Sequence, residues 1–333
     1  MPVIAHGSKK LSIRLLLGAA LALLLAGCAG HSSLPPEPAH WVYETARSDG
    51  AIAQRWAPAF VAYDHDRIYN RIGRPVVDQQ SGQDIIIDTR QPTVYFIQRT
   101  FATDRGVYTN LIYRVHFPEV PYSLIPFNLT AGKNGGLLVV VTLNADELPV
   151  LVTTVHTCGC YLAIIPTRAL PHEALPAGWT GDTLDVYGER LPAFIDFGQH
   201  HAPRLLIHLR PATHRVMDLT VVEEASLANP PFQTIPMEIE AMDQLQHLPA
   251  GEGDTSFYFS EGVMQGHVKG SIKPWETLLL SLVSMDLFVG SDKAYEDTSQ
   301  RGTPFYTSLK FWRRDDSNMW NFPRFLQYWG WRL

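Results

Sequence analysis

The longest apolar, β-branched runs outside the first thirty residues lie between residues 136 and 166, GLLVVVTLNADELPVLVTTVHTCGCYLAIIP. Short runs of Val, Ile, Leu and Thr bounded by turn residues predict buried strands. Asn144-Ala145-Asp146-Glu147-Leu148-Pro149 divides two of them. Two or three consecutive strands are therefore expected at the centre of a sheet, with Cys158 and Cys160 on or just past the last. Residues 107–117 alternate: Leu111, Tyr113 and Val115 point one way, Asn110, Arg114 and His116 the other. That period of two predicts a strand with one wet face. Shorter strands are expected over 55–63, 84–88, 93–100, 204–210 and 214–223, the last two joined as a hairpin through Pro211-Ala212-Thr213. Segments 256–260 and 263–269 read as a further pair. Segments 118–135 and 166–201 show little periodicity and read as loops; 237–247 allows a short helix.

Toward the C-terminus the period changes. Behind Pro274, the residues Trp275, Leu278, Leu279, Leu282 and Met285 recur at helical spacing, with Gly290 as the stop. This predicts an amphipathic helix with an apolar stripe. Asn321 as cap and Pro323 in the first turn predict a second helix, carrying Phe322, Leu326 and Trp329 on one face. Such a stripe packs on the sheet as core, or forms a membrane-interface belt or partner surface. The pattern implies one α+β domain over 41–333, a mainly antiparallel β-sheet of eight or more strands with helices at the C-terminus.

The N-terminus has another character. Lys9, Lys10 and Arg14 precede an apolar run over 15–26, too short to span a bilayer and of signal-peptide length. It ends in Leu25-Ala26-Gly27-Cys28, which resembles at every position the lipobox of bacterial lipoproteins. The resemblance covers only the first 28 residues. It implies removal of residues 1–27, a diacylglycerol on the Cys28 thiol and an acyl chain on its amino group. Ala29 stands where that family uses Asp for inner-membrane retention, so the resemblance implies the outer membrane, facing the periplasm. Two or three chains, at about 0.8 kcal/mol per buried CH₂, make a durable anchor. Residues 28–40, polar and Pro-rich, read as a tether.

Loss of three basic residues with the signal lowers the formal charge from −6 to −9. An acidic domain repels nucleic acid and anionic lipid headgroups, so neither is an expected partner. With Cys28 acylated, Cys158 and Cys160 remain, too few for a disulfide framework, and the fold must rest on its apolar core.

Candidate chemistry centres on His156-Thr157-Cys158-Gly159-Cys160. In an extended strand His156, Cys158 and Cys160 share a face, a soft set suited to Zn²⁺ or Cu(I). A fourth ligand would come from Asp64, His65, His200 or His201. Zinc sites usually separate their sulfurs by two or more residues, so Cys-x-Cys is off that pattern. A disulfide is the alternative: strand spacing sets the Cα atoms about 6.6–6.8 Å apart, at the limit of disulfide geometry, and Gly159 allows a bend. Inert packing of two thiols and redox catalysis are the other readings. Asp64-His65-Asp66 and His200-His201 read equally as solvated turns. Glu223-Glu224 and Asp315-Asp316 read as surface acids or caps. The chain has no Gly-x-Ser-x-Gly, phosphate loop, His-Glu-x-x-His or dinucleotide fingerprint. The expected function is an envelope lipoprotein that binds a ligand or partner; the alternative is a metal-dependent enzyme using the His156/Cys158/Cys160 face.

Overall fold

Most strand-forming runs collect into two sheets in the computed structural model, which describes residues 40–82, 84–180, 183–198, 200–297 and 303–333. Cys28 and the signal segment lie outside the described residues. In chain order the principal strands begin with β1 His40–Glu44, β2 Ala59–Ala62, β3 Thr93–Thr103, β4 Gly106–His116, β5 Gly136–Leu143 and β6 Pro149–His156. They continue with β7 Ala163–Pro166, β8 Pro203–Leu209, β9 Val216–Glu223, β10 Phe232–Pro236 and β11 Glu238–Ala241. The helices are α1 Ile52–Arg55, α2 Pro274–Ser284 and α3 Phe322–Tyr328. The fold class is α+β as expected, but the strands divide between two main sheets instead of one.

The six-stranded sheet has the order β7-β6-β5-β4-β3-β11, antiparallel except for the β3–β11 edge. The five-stranded sheet, β9-β8-β2-β1-β10, is mixed, with β8–β2 and β1–β10 parallel. Leu111, Tyr113, Leu137 and Val139 of the first pack against Phe60, Leu205 and Ile207 of the second. The opposite face of the six-stranded sheet, with Ile112, Leu138 and Val140, is covered by Phe257, Phe305, Phe322, Phe325 and Trp331. With both faces covered, β5 and β6 are buried along their whole length. That explains runs of Val and Leu without alternation.

The same covering corrects the wet face expected of residues 107–117. Asn110, Arg114 and His116 are buried, beneath the C-terminal layer. The Arg114 guanidinium donates to Lys293 O at 2.8 Å and to His116 Nε2 at 3.1 Å. Burial, with Arg114 beside it, holds His116 well below the ordinary imidazole range, so a neutral ring can accept that bond.

Other expectations shift locally. The strand expected over 55–63 forms as the shorter β2, Ala59–Ala62, preceded by α1, and β1 is an additional strand pairing parallel with β10. The loop over 166–201 contains a ribbon, Thr183–Val186 with Glu189–Pro192. The helix allowed over 237–247 is β11 and a 3₁₀ turn, Met242–Gln246. The 256–260/263–269 pair reduces to a bridge between Tyr258 and Val268. Helix α3 forms where its cap predicts, with the Asn321 side chain accepting from Arg324 N. Its buried residues are Phe322, Phe325 and Leu326; Trp329 caps the helix and is exposed.

Candidate functional site

Strand β6 ends at His156, and the next residues turn. The His156 N–H donates to Cys160 O at 3.0 Å and the Gly159 N–H to His156 O at 2.7 Å. Gly159 has φ +95°, and a Cβ there would lie 2.0 Å from Tyr306 O, so glycine alone fits. The turn brings the Cα atoms of Cys158 and Cys160 to 5.7 Å, and the two are joined as a disulfide. The three side chains thus converge through a turn and not through the pleat of a strand. One ligand atom from each of His156, Cys158 and Cys160 lies within 4.8 Å of the others.

His156 Nε2 donates to His214 O at 3.1 Å, and His214 Nε2 to Tyr69 O at 2.7 Å. Donation to a carbonyl fixes the proton on Nε2 and leaves Nδ1 with the lone pair. Burial pushes His156 down to about 3, and Lys273 adds to it. His214 is likewise held at about 3, by burial and then by His156. The Tyr161 ring meets His156 edge-on at 4.8 Å. A disulfide offers no thiolate, so a metal held by this set would require the reduced pair.

Asp64, His65, His200 and His201 all stand outside this group. His65 stacks on Trp41 at 4.6 Å, with Nε2 2.8 Å from Tyr43 Oη. Asp64 has φ +50° and accepts Asn70 Nδ2 on its backbone oxygen. His200 Nδ1 is 3.6 Å from Glu223 Oε2, and the His201 N–H donates to the same carboxylate. That pair precedes β8, at the end away from the 210–215 turn that meets His156. Glu224, expected as a surface acid, instead pairs bidentately with buried Arg204, at 2.6 and 2.7 Å. Asp316 is a surface acid, paired with Arg313 and Arg324.

A buried polar network lies against the cysteine turn. Lys293 Nζ donates to Cys158 O at 2.8 Å and Ser291 O at 3.1 Å, over the Tyr306 ring. Thr157 Oγ1 donates to Asp292, which pairs with Lys273 at 3.0 Å. Burial lowers Lys293 to about 8 and raises the Glu276 carboxyl. Glu276 belongs to α2, and with Ser284 it makes up the buried part of that helix. A Cβ at Gly290 would meet the Glu276 carboxylate at 2.5 Å. Gly290 therefore marks where the returning chain passes Glu276, and the helix itself ends at Ser284 with Met285 left-handed at φ 50°.

Helix α2 thus turns its polar residues inward and its apolar ones outward. Leu278, Leu279, Leu282, Val283, Met285 and Leu287 are exposed, Leu282 at 90%. Beside its start lies the 122–127 loop, held by a Phe127–Trp275 ring contact at 5.9 Å. This loop exposes Tyr122, Leu124 and, at 94%, Ile125. Beside its end lie Leu309, Phe311 and Trp312, also exposed, where Arg314 Nη2 donates to Ser284 O at 2.8 Å. Of the twenty exposed large hydrophobic residues among those described, twelve fall in these three neighbouring segments. At the roughly 60–100 Å² per side chain implied by hydrophobic transfer energies, and with exposures between 37% and 94%, they present on the order of 600 Å². The largest apolar patch of an ordinary monomer covers about 300–600 Å². An acidic, aromatic cleft between Asp243, Glu296, Tyr295 and Trp320 encloses about 190 Å³. Small-molecule sites commonly occupy about 300–1,000 Å³. No known protein family, curated protein or solved structure matches the chain.

Proposed function

We propose that this chain is a lipid-anchored protein of the bacterial outer membrane, facing the periplasm, whose folded part acts by binding. Its binding surface is the apolar face of α2 with the flanking 122–127 and 309–312 segments. The observation carrying this reading is the reversed helix: Glu276, the one ionisable residue of α2, is buried, while Leu278, Leu282 and Met285 face outward. Apolar area of that extent marks an interaction surface. The complete Leu25-Ala26-Gly27-Cys28 motif supports the anchor.

Two measurements test the reading. Mass spectrometry of the N-terminal peptide is expected to show an acylated Cys28, and an unmodified residue would remove the anchor. A photo-crosslinking residue at Leu282 is expected to trap what covers this face in intact cells, lipid or protein, whereas the same residue at Leu148 traps none. Equal, diffuse labelling at both positions would end the binding reading.

The approach of three ligand atoms to within 4.8 Å supports a second reading, a metal-dependent enzyme at His156, Cys158 and Cys160. It requires thiolates. Elemental analysis would then find about one equivalent of zinc or copper, lost in His156→Ala. The disulfide predicts a mass two units below the dithiol and no bound metal.

A further inference from the structure

We infer that the exposed face of α2, with the 122–127 and 309–312 segments, inserts into the same bilayer that carries the Cys28 acyl chains. This rests on the lipid-anchored reading above and adds a second, orienting contact with the lipid.

Reach is the first argument. Twelve residue steps separate Cys28 from His40, which span at most about 40–43 Å when extended. His40, where β1 begins, is therefore always within one tether length of the bilayer, and a weak apolar contact elsewhere on the folded part is strengthened by effective concentration.

Charge is the second. Glu276 faces inward, the loop sequence Tyr122-Ser123-Leu124-Ile125-Pro126-Phe127 has no ionisable group but tyrosine, Asp286 between Met285 and Leu287 is paired with Arg314 at 3.4 Å, and Lys310 is the one full charge within 309–312. Burial in hydrocarbon would desolvate little unpaired charge. Repulsion between an acidic protein and anionic headgroups acts at a distance, and zwitterionic lipid does not impose it.

Shape is the third. Leu282 and Ile125 stand 90% and 94% exposed, and are the crests of the surface. A protein partner would have to supply a fitted hollow for each, whereas fluid acyl chains close around any protrusion. Trp312, Phe311 and Tyr122 accompany these aliphatic crests, and tryptophan and tyrosine favour the depth where a ring meets both lipid and water. Neighbouring Lys310 and Arg313 can extend their stems toward the headgroups.

The test uses the full lipidated chain in phosphatidylcholine vesicles, with Leu282→Cys carrying a solvatochromic dye. The substitution lies at an exposed position, so the melting temperature should stay that of the parent chain. Blue-shifted emission, quenched when the vesicles contain brominated acyl chains, is expected. The same dye at Leu148→Cys should stay water-like and unquenched. Adding Leu278→Asp and Ile125→Asp should return the Leu282 dye to water-like emission, since each lost apolar side chain weakens partitioning by about ten-fold or more.

Water-like emission of the Leu282 dye in vesicles would overturn the inference. So would a blue shift without bromine quenching, whether it grows with protein concentration, as for a second copy, or needs envelope extract, as for a protein partner. Failure of the anchor is separable: unmodified Cys28 removes the anchored reading, while the unlipidated chain added to vesicles still reports whether this face enters lipid.

Discussion

A methyl group at Gly159 would meet the carbonyl oxygen of Tyr306 at 2.0 Å, with the backbone already at φ +95°. An L-residue there pays about 1–3 kcal/mol for the conformation alone, and backbone on the other side cannot move aside as a side chain can. Gly159→Ala is therefore expected to lower Tm by several degrees, given about 2–4 °C per kcal/mol for a domain of this size class. Circular dichroism melts check it, and a Tm within 1 °C of the parent would show that the turn relaxes freely. The residue types at this turn were legible in the sequence, because His-x-Cys-x-Cys puts its members together in a strand or in a tight turn. Which of the two occurs was not legible. It is decided by Tyr306 and Lys293, more than 130 positions away. Contacts made only on folding likewise hid the roles of Glu224, which answers Arg204, and of Glu276, which faces Lys273 and Lys293.

At the scale of elements, α2 and α3 show what periodicity can and cannot establish. Both helices begin where spacing and Pro place them, although α2 ends at Ser284 and not at Gly290, and α3 buries Phe322, Phe325 and Leu326 while Trp329 stays exposed. Helix α2 does the reverse, since periodicity counts apolar positions and is blind to which side the protein occupies. Stability measurements should separate the two. Phe325→Ala, at a fully buried site beside Phe322 in the apolar cluster over the six-stranded sheet, is expected to cost about 3–5 kcal/mol. Leu282→Ser, at 90% exposure, should change stability by less than about 0.5 kcal/mol. Denaturant midpoints check both, and a large loss at Leu282 would mean that the leucine face packs within the protein. The strands were legible in proportion to their burial: β5 and β6 are covered on both faces and read as unbroken apolar runs. The ribbon strand Thr183–Val186 has four residues and none of them is buried, so its apolar pattern is too short and weak to stand out from loop.

The molecule as a whole is layered, with the six-stranded sheet between the five-stranded sheet and the C-terminal segments, and its polar residues are trapped where the layers meet. His116, His156 and His214 are each at most 5% exposed. Burial leads the causes that hold all three imidazoles below their ordinary value, His156 and His214 at about 3. The sign of the linkage follows directly. Above pH 6.5 the histidines are neutral in both folded and unfolded chains and contribute no pH dependence. Between pH 6.5 and about 3 the unfolded chain binds protons that the folded chain refuses, so stability falls as pH falls. Each such histidine contributes a slope of about 1.4 kcal/mol per pH unit once well below 6.5. By pH 5 the loss from His156 and His214 together reaches about 4 kcal/mol, a large part of the 5–15 kcal/mol that stabilises an ordinary domain. Carboxylates held low by ion pairs, Asp88 beside Arg90 and Asp316 beside Arg313, act in a separate window, below about pH 4. Thermal melts at half-unit steps from pH 7.5 to 4.5 should thus show a fall in Tm that begins near pH 6.5, opposed at lower pH by the buried Glu276, whose raised carboxyl takes up its proton in the folded chain first. Replacing His156 and His214 together by Gln should flatten that fall while lowering Tm at pH 7, since Gln keeps a donor but not the shape of the ring. A parent chain whose Tm holds steady from pH 6.5 to 5 would show that protons reach these rings in the folded state, and that the layers do not exclude water as their packing implies.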